Sequence, residues 1–111
     1  KSIAVNTLIR AKIGSSTDLD WFRFTVSSTQ RNVRIKLSNL PADYDLRAYR
    51  SLSVLGTSAT NGTADEQVII NNAFPSTTYH IRVSGYNGAF NNNQCYELII
   101  ETSSTAFREG G

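Results

Sequence analysis

Apolar and polar residues alternate one by one through a series of short segments, and this period of two constrains the fold more than any other feature of the chain. In Trp21-Phe22-Arg23-Phe24-Thr25-Val26, Phe22, Phe24 and Val26 share one face of an extended strand, and Trp21, Arg23 and Thr25 share the other. Asn32-Val33-Arg34-Ile35-Lys36-Leu37 repeats the scheme, with Val33, Ile35 and Leu37 inward. Ser27-Ser28-Thr29-Gln30 between them reads as a turn, so the two strands are expected to pair as a hairpin. After the break at Pro41-Ala42-Asp43 come Tyr44-Asp45-Leu46-Arg47-Ala48-Tyr49, a short strand at Ser53-Val54-Leu55, and a loop holding Asn61-Gly62. Glu66-Gln67-Val68-Ile69-Ile70, then residues 78–84 and 96–102, complete the set, and residues 5–13 offer one more strand. No window shows a helical period with caps. Seven or eight short strands without βαβ alternation predict an all-β fold, an antiparallel β-sandwich.

Composition agrees. Ser, Thr and Asn make up about thirty per cent of the 111 residues, a usage that favours strands, turns and polar loops. The net charge of +2 is too mild to indicate nucleic acid as a partner. No stretch approaches the ~20 apolar residues of a membrane-spanning helix. The length suits one domain, residues 1–111, with a sandwich over about 8–102 and a tail or linker at 103–111 where the periodicity ends. The absence of Met and the start at Lys1 lead to the expectation that the chain is a piece of a longer protein.

A single Cys excludes an internal disulfide and, with a single His, a Cys/His zinc site. Cys95 opens the apolar run Cys95-Tyr96-Glu97-Leu98-Ile99-Ile100 and is expected as a partly buried strand residue, the alternative being a nucleophile or a bridge to another part of the parent. His80, within Thr78-Tyr79-His80-Ile81-Arg82-Val83, falls on the solvent face of its strand. No GxSxG, HExxH, P-loop or Rossmann glycine pattern is present. The chain is therefore expected not to be an enzyme.

Two Asp clusters stand at loop-to-strand junctions: Thr17-Asp18-Leu19-Asp20 and Asp43-Tyr44-Asp45. Such spacing serves a hard cation, since calcium takes six to eight oxygens. It serves equally for Asp side chains capping their own turns, and on spacing alone that simpler role is favoured.

The order of elements carries a resemblance. Ile13-Gly14, Asp18-Leu19-Asp20-Trp21-Phe22-Arg23-Phe24, Val33-Arg34-Ile35-Lys36-Leu37, Ala42-Asp43-Tyr44-Asp45-Leu46-Arg47-Ala48-Tyr49, Thr78-Tyr79-His80-Ile81-Arg82-Val83-Ser84-Gly85-Tyr86 and Tyr96-Glu97-Leu98 follow one another. Across roughly residues 8–102 the chain resembles the bacterial pre-peptidase C-terminal domain, a module appended to secreted peptidases and other exported enzymes. The resemblance implies a non-catalytic, jelly-roll-like sandwich related to the collagen-binding domains of clostridial collagenases. It also implies calcium as a cofactor held by Asp20, which matches the acidic position of a D-aromatic-F motif, and by Asp18, near a second acidic position at a different spacing. The acidic N-terminal segment of that branch has no counterpart, because residues 1–12 contain no Asp or Glu. Asp45 matches a D-x-D-L segment in which it fixes the turn. Tyr79 and Tyr86 lie in the region comparable to collagen-binding tyrosines, though alternation points Tyr79 into the core.

The outward set comprises Arg23, Arg34, Lys36, Arg47, His80 and Arg82, a basic stripe with Trp21 at its edge if the strands are neighbours. The plain reading is a solvated face with counter-charges from Glu97 and Glu101. The functional reading is a shallow face for an anionic or carbohydrate polymer, with forked donors from Arg23, Arg47 and Arg82 and stacking of Trp21 or Tyr49 on a sugar or peptide. Tyr86 and Phe90, in the Asn-rich loop at 85–93, form a second candidate rim. By the resemblance, the expected function is a secreted or cell-surface accessory domain of a bacterial hydrolase such as a peptidase, aiding secretion, folding of the parent or attachment to a substrate or surface, and a monomer as a fragment. Its partners would be the parent catalytic domain and an extracellular protein or polysaccharide. The alternative is a carbohydrate-binding module or adhesin repeat using the exposed aromatics and Arg.

Overall fold

A computed structural model describes residues 1–108. Eight strands form: β1 (Ile9–Ala11), β2 (Leu19–Thr25), β3 (Asn32–Ser38), β4 (Tyr44–Arg50), β5 (Ser53–Ser58), β6 (Glu66–Ile70), β7 (Thr78–Gly85) and β8 (Tyr96–Ser103). The helical content of the described residues is one 3₁₀ turn, Tyr86–Gly88. The strands lie in two antiparallel four-stranded sheets with orders β1-β8-β3-β6 and β2-β7-β4-β5. Successive strands from β1 to β4 alternate between the sheets, as in a jelly roll of two interlocked Greek keys.

The expected period-2 faces pack as the sandwich core. Phe22, Phe24 and Val26 from one sheet face Val33, Ile35 and Leu37 from the other, and Leu46, Ala48, Ile81, Val83, Leu98 and Ile100 fill the remaining space. Each large apolar side chain so buried stabilises by about 1.5–3 kcal/mol relative to exposure. Tyr79 is inward, as alternation predicts, and its hydroxyl accepts the Phe74 N–H at 2.9 Å.

The expected hairpin between residues 21–26 and 32–37 does not form. β2 pairs with β7, while β3 pairs with β6 and β8 in the opposite sheet. The Ser27–Gln30 stretch is an arch from one sheet to the other. Alternation specifies which side of a strand is apolar, and two such strands bury those sides equally well as partners in one sheet or as opponents across the core. The hairpin that does form from consecutive strands in this sheet joins β4 to β5.

One glycine is required by geometry. A Cβ on Gly85 would lie 1.8 Å from the Ala89 carbonyl oxygen, so only Gly lets β7 run into the tight turn that follows. Beyond β8, Phe107 exchanges backbone hydrogen bonds with the Asn71 side chain and lies 4.7 Å from the Arg34 guanidinium. Residues 109–111 of the expected tail lie outside the described residues.

Candidate functional site

The outer face of the β2-β7-β4-β5 sheet is assembled by register. Trp21 stands opposite Arg82, and Arg82 opposite Arg47, forming one row across β2, β7 and β4. Arg23, His80 and Tyr49 form the next row. β5 extends them with Thr57 beside Arg47 and Val54 beside Tyr49. The Trp21 and Tyr49 rings lean together over β7, with centroids 5.4 Å apart and planes tilted by 42°. Trp21, Tyr49, Ser51, Leu52 and His80 line an open depression of about 400 Å³. Trp21 is 43% exposed and Leu52 94%, so apolar surface here meets solvent.

The charges of this face are poorly answered. Arg82 lies 5.8 Å from the centre of the Trp21 ring, and its Nε is shielded from solvent with no acceptor among the described residues. Arg47 sits directly across from it, a like-charge pairing that costs stability. Arg23 donates from Nε to the Ser2 hydroxyl at 2.7 Å. Among outward strand positions of this sheet, Asp45 is the one carboxylate. Burial, followed by the charges of Asp43 and Glu66, pushes the Asp45 carboxyl above its ordinary value, against the smaller opposing pull of Arg47 and Arg82.

Arg34 and Lys36 do not join the stripe. β3 belongs to the other sheet, where Arg34 Nε meets Glu101 Oε1 at 2.7 Å and Lys36 Nζ lies 4.0 Å from Asp65 Oδ2. Arg10 Nε bonds Glu97 Oε2 there at 3.0 Å. Every ion pair among the described residues belongs to that sheet or the loop leading into it.

Tyr86 and Phe90 are exposed at one end of the sandwich, where the Tyr86 N–H is given to the Asp43 carbonyl. Tyr86 follows Arg82 by four residues, on the order of 13 Å along the strand direction. The structure therefore gathers Trp21, Arg23, Arg47, Tyr49 and Arg82 on one face and leaves Tyr86 and Phe90 apart from them.

Asp18 and Asp20 lie near that same end. Asp18 Oδ2 accepts the Gly14 N–H at 3.0 Å, capping its turn. Asp20, from one sheet, accepts the hydroxyl of Tyr96 from the other at 2.5 Å. Burial raises the Asp20 carboxyl above its usual value, the Tyr96 bond opposes this, and the Asp18 charge adds to it. Burial also raises the Tyr96 hydroxyl, which stays protonated and donating. The Tyr44 hydroxyl is buried within the field of both carboxylates and has no partner among the described residues. The nearby Asn91 N–H is committed to the Ile13 carbonyl at 2.9 Å.

The second Asp cluster, Asp43 and Asp45, is joined by a carboxylate not expected there, that of Glu66. Carboxylate oxygens of Asp43, Asp45 and Glu66 lie within 4.8 Å of one another. Glu66 is fully buried and takes donors from the Ser58 hydroxyl and the Thr60 N–H. The signal for it was available in the sequence, because Glu66 shares the inward phase of Val68.

The family model of the bacterial pre-peptidase C-terminal domain matches residues 18–85. Among solved structures, the chain is similar to the pre-peptidase C-terminal domain of collagenase from Bacillus anthracis, at 17% sequence identity and a TM-score of 0.69, over 89% of this chain and 91% of that chain. At that identity the likeness is one of fold. No curated protein matches.

Proposed function

Because the chain belongs to the bacterial pre-peptidase C-terminal domain family, we propose that it is a non-catalytic accessory domain of a secreted bacterial hydrolase, such as a peptidase. In this reading the described residues, 1–108, form a single unit beside the parent's catalytic domain. The unit attaches the parent to an extracellular polymer or cell surface through the outer face of the β2-β7-β4-β5 sheet. Trp21 and Tyr49 supply stacking area, while Arg23, Arg47 and Arg82 supply donors. The observation that carries the reading is the convergence of these five side chains, from three strands, beside an apolar depression.

Cys95 lies in the loop just before β8, whereas His80 lies on β7 of the other sheet. No helix among the described residues is long and apolar enough to cross a membrane. A binding screen of the purified domain against collagen, gelatin and a panel of polysaccharides tests the attachment role. Retention on at least one polymer that is lost in Trp21→Ala, with the β-sheet circular dichroism unchanged, is the expected result. Equal retention of both proteins would remove the face from the mechanism, and turnover of a substrate by the domain would overturn the accessory role.

Calcium at Asp18 and Asp20 belongs to this proposal. The buried, unanswered Tyr44 hydroxyl in the field of both carboxylates is the feature that fits a cation there. Asp18 and Asp20 would hold the ion, which would supply positive charge to a desolvated acidic pair. Thermal unfolding in calcium and in chelator should then differ by several degrees. Coincident midpoints would leave Asp18 as a turn cap and Asp20 as an acceptor for Tyr96.

A further inference from the structure

We propose that the polymer recognised by the β2-β7-β4-β5 face is an acidic polysaccharide, a glycan bearing carboxylate or sulfate groups, with its anions on Arg47 and Arg82 and a sugar ring against Trp21 and Tyr49. This rests on the attachment reading and names the ligand class for the same face.

Charge is the first argument. The two outer faces of this sandwich are built from the same alternating residue types, yet their counter-charges differ. On the β1-β8-β3-β6 side Arg10, Arg34 and Lys36 each have a carboxylate within 4.0 Å. On the β2-β7-β4-β5 side Arg23, Arg47 and Arg82 have none among the described residues, and Arg47 and Arg82 are direct cross-strand neighbours. Like charges directly opposite in a sheet are destabilising. An anion placed over the Arg47–Arg82 pair removes that repulsion and gains charge-assisted hydrogen bonds from two guanidinium forks.

The aromatic geometry is the second argument. Trp21 and Tyr49 border the depression together with Leu52 and His80, adjacent to the arginine row. Aromatic faces present apolar area of the size of a pyranose ring, and they lie here within one residue pair of the cationic positions.

Backbone accessibility separates a glycan from an acidic polypeptide. β7 and β4 are interior strands of the sheet, so their main-chain groups are already engaged in the ladders. An extended polypeptide docks by adding to a strand edge, where unpaired N–H and C=O groups remain. The β2 edge is bordered by residues 1–3, through Ile3 N–H to the Arg23 carbonyl and Arg23 N–H to the Lys1 carbonyl. The cationic and aromatic side chains therefore stand over the closed middle of the sheet, where only side-chain donors and ring faces are offered. A glycan uses both and needs no backbone partner.

Trp21 is the single Trp, so its fluorescence reports on the face directly. The domain is titrated with polygalacturonate, heparin, neutral dextran and poly-L-glutamate. The expected result is a saturable change in emission with polygalacturonate or heparin, weakened by added salt, and none with dextran or polyglutamate. Arg47→Gln/Arg82→Gln should weaken binding roughly tenfold or more. Arg10→Gln/Lys36→Gln, with the same change in net charge on the opposite face, should leave it unaltered. Both variants are first checked for an unchanged β-sheet spectrum. Equal weakening by the two double variants would overturn the inference, since net charge alone would explain the binding. Polyglutamate binding as tightly as the acidic glycans would overturn it in favour of an acidic polypeptide. Trp21-dependent binding of a neutral polymer or of collagen, with both acidic glycans inert, would overturn it while leaving the attachment reading intact. If no polymer in either screen binds, both fail.

Discussion

The two outer faces of the sandwich start from similar sequence and end with opposite electrostatics. β3 and β8 place Arg34 directly across from Glu101, and β1 and β8 place Arg10 across from Glu97. β7 and β4 place Arg82 across from Arg47. Each arrangement follows from which strands became neighbours, because a residue's charge partner in a sheet is set by register and strand order. The first face is neutralised internally. The second keeps its charge and sets it beside Trp21 and Tyr49, residue types enriched where proteins contact one another. What distinguishes the second face is that Arg23, Arg47 and Arg82 have no carboxylate within 4.0 Å among the described residues, although Asp45 is close enough to feel Arg47 and Arg82.

The largest effects should come from the core both faces share. Ile81→Ala in β7 and Ile100→Ala in β8 should each lower unfolding stability by about 2–5 kcal/mol. Denaturant unfolding followed by Trp21 emission and by circular dichroism should give coincident transitions in both variants. Separate transitions would show that the sheets unfold independently, and the faces would then not rest on one core.

Next in size is the tie between the sheets. Tyr96→Phe removes the donor to the partly buried Asp20 carboxylate and should cost about 1.5–3 kcal/mol at neutral pH. A loss below a few tenths would mean that water replaces the hydroxyl without penalty.

Smaller, and of opposite sign on the two faces, are the charge deletions. Glu101→Gln should destabilise by no more than about 1 kcal/mol, because the Arg34 pair is partly exposed. The hydrogen bond and charge of Arg34 hold the Glu101 carboxyl below its ordinary value. Its stabilisation is thus present above the ordinary carboxylate range and is lost as the pH falls through that depressed value. Urea titrations of wild type and variant at neutral and acidic pH should converge at the acid end. Arg47→Gln, by contrast, should raise stability by about 0.2–1 kcal/mol by relieving the Arg82 repulsion. A matching loss would show that the two faces are electrostatically alike after all.

The smallest expected effect is at the acidic end of the second face. The Asp45 carboxyl is raised above its ordinary value, so the native state binds that proton more tightly than the unfolded chain and loses stability as the pH rises through the raised value. Asp45→Asn should therefore melt slightly higher than wild type at neutral pH. The gain should vanish below the ordinary carboxylate range, where Asp45 is itself protonated. A gain that persists in acid would trace instead to packing.

Much of the architecture was legible from local pattern. The inward identities of Phe22, Phe24, Val26, Val33, Ile35, Leu37, Tyr79, Ile81 and Val83 followed from alternation, and all are buried. The pairing of β2 with β3 was misread, because a short polar stretch between alternating strands looks the same whether it closes a hairpin or arches between sheets. That misreading also hid the division of the basic stripe. Arg34 and Lys36 were legible as outward-facing, but the sheet they face outward from was not. The grouping of Trp21, Tyr49 and Arg82 was hidden for the same reason, since these residues are up to 61 positions apart in the chain.

What the sequence by itself determined is the side of each strand that meets the core, a local property of a backbone whose side chains point alternately up and down. It also determined the family, through the order of its motifs across residues 18–85. Tertiary structure alone decided which strands became neighbours, because pairing in a jelly roll joins residues distant in the chain through backbone hydrogen bonds that carry no side-chain signature. That choice left Arg10 and Arg34 facing carboxylates and Arg47 facing Arg82, so one surface pairs its cations internally and the other sets two of them side by side.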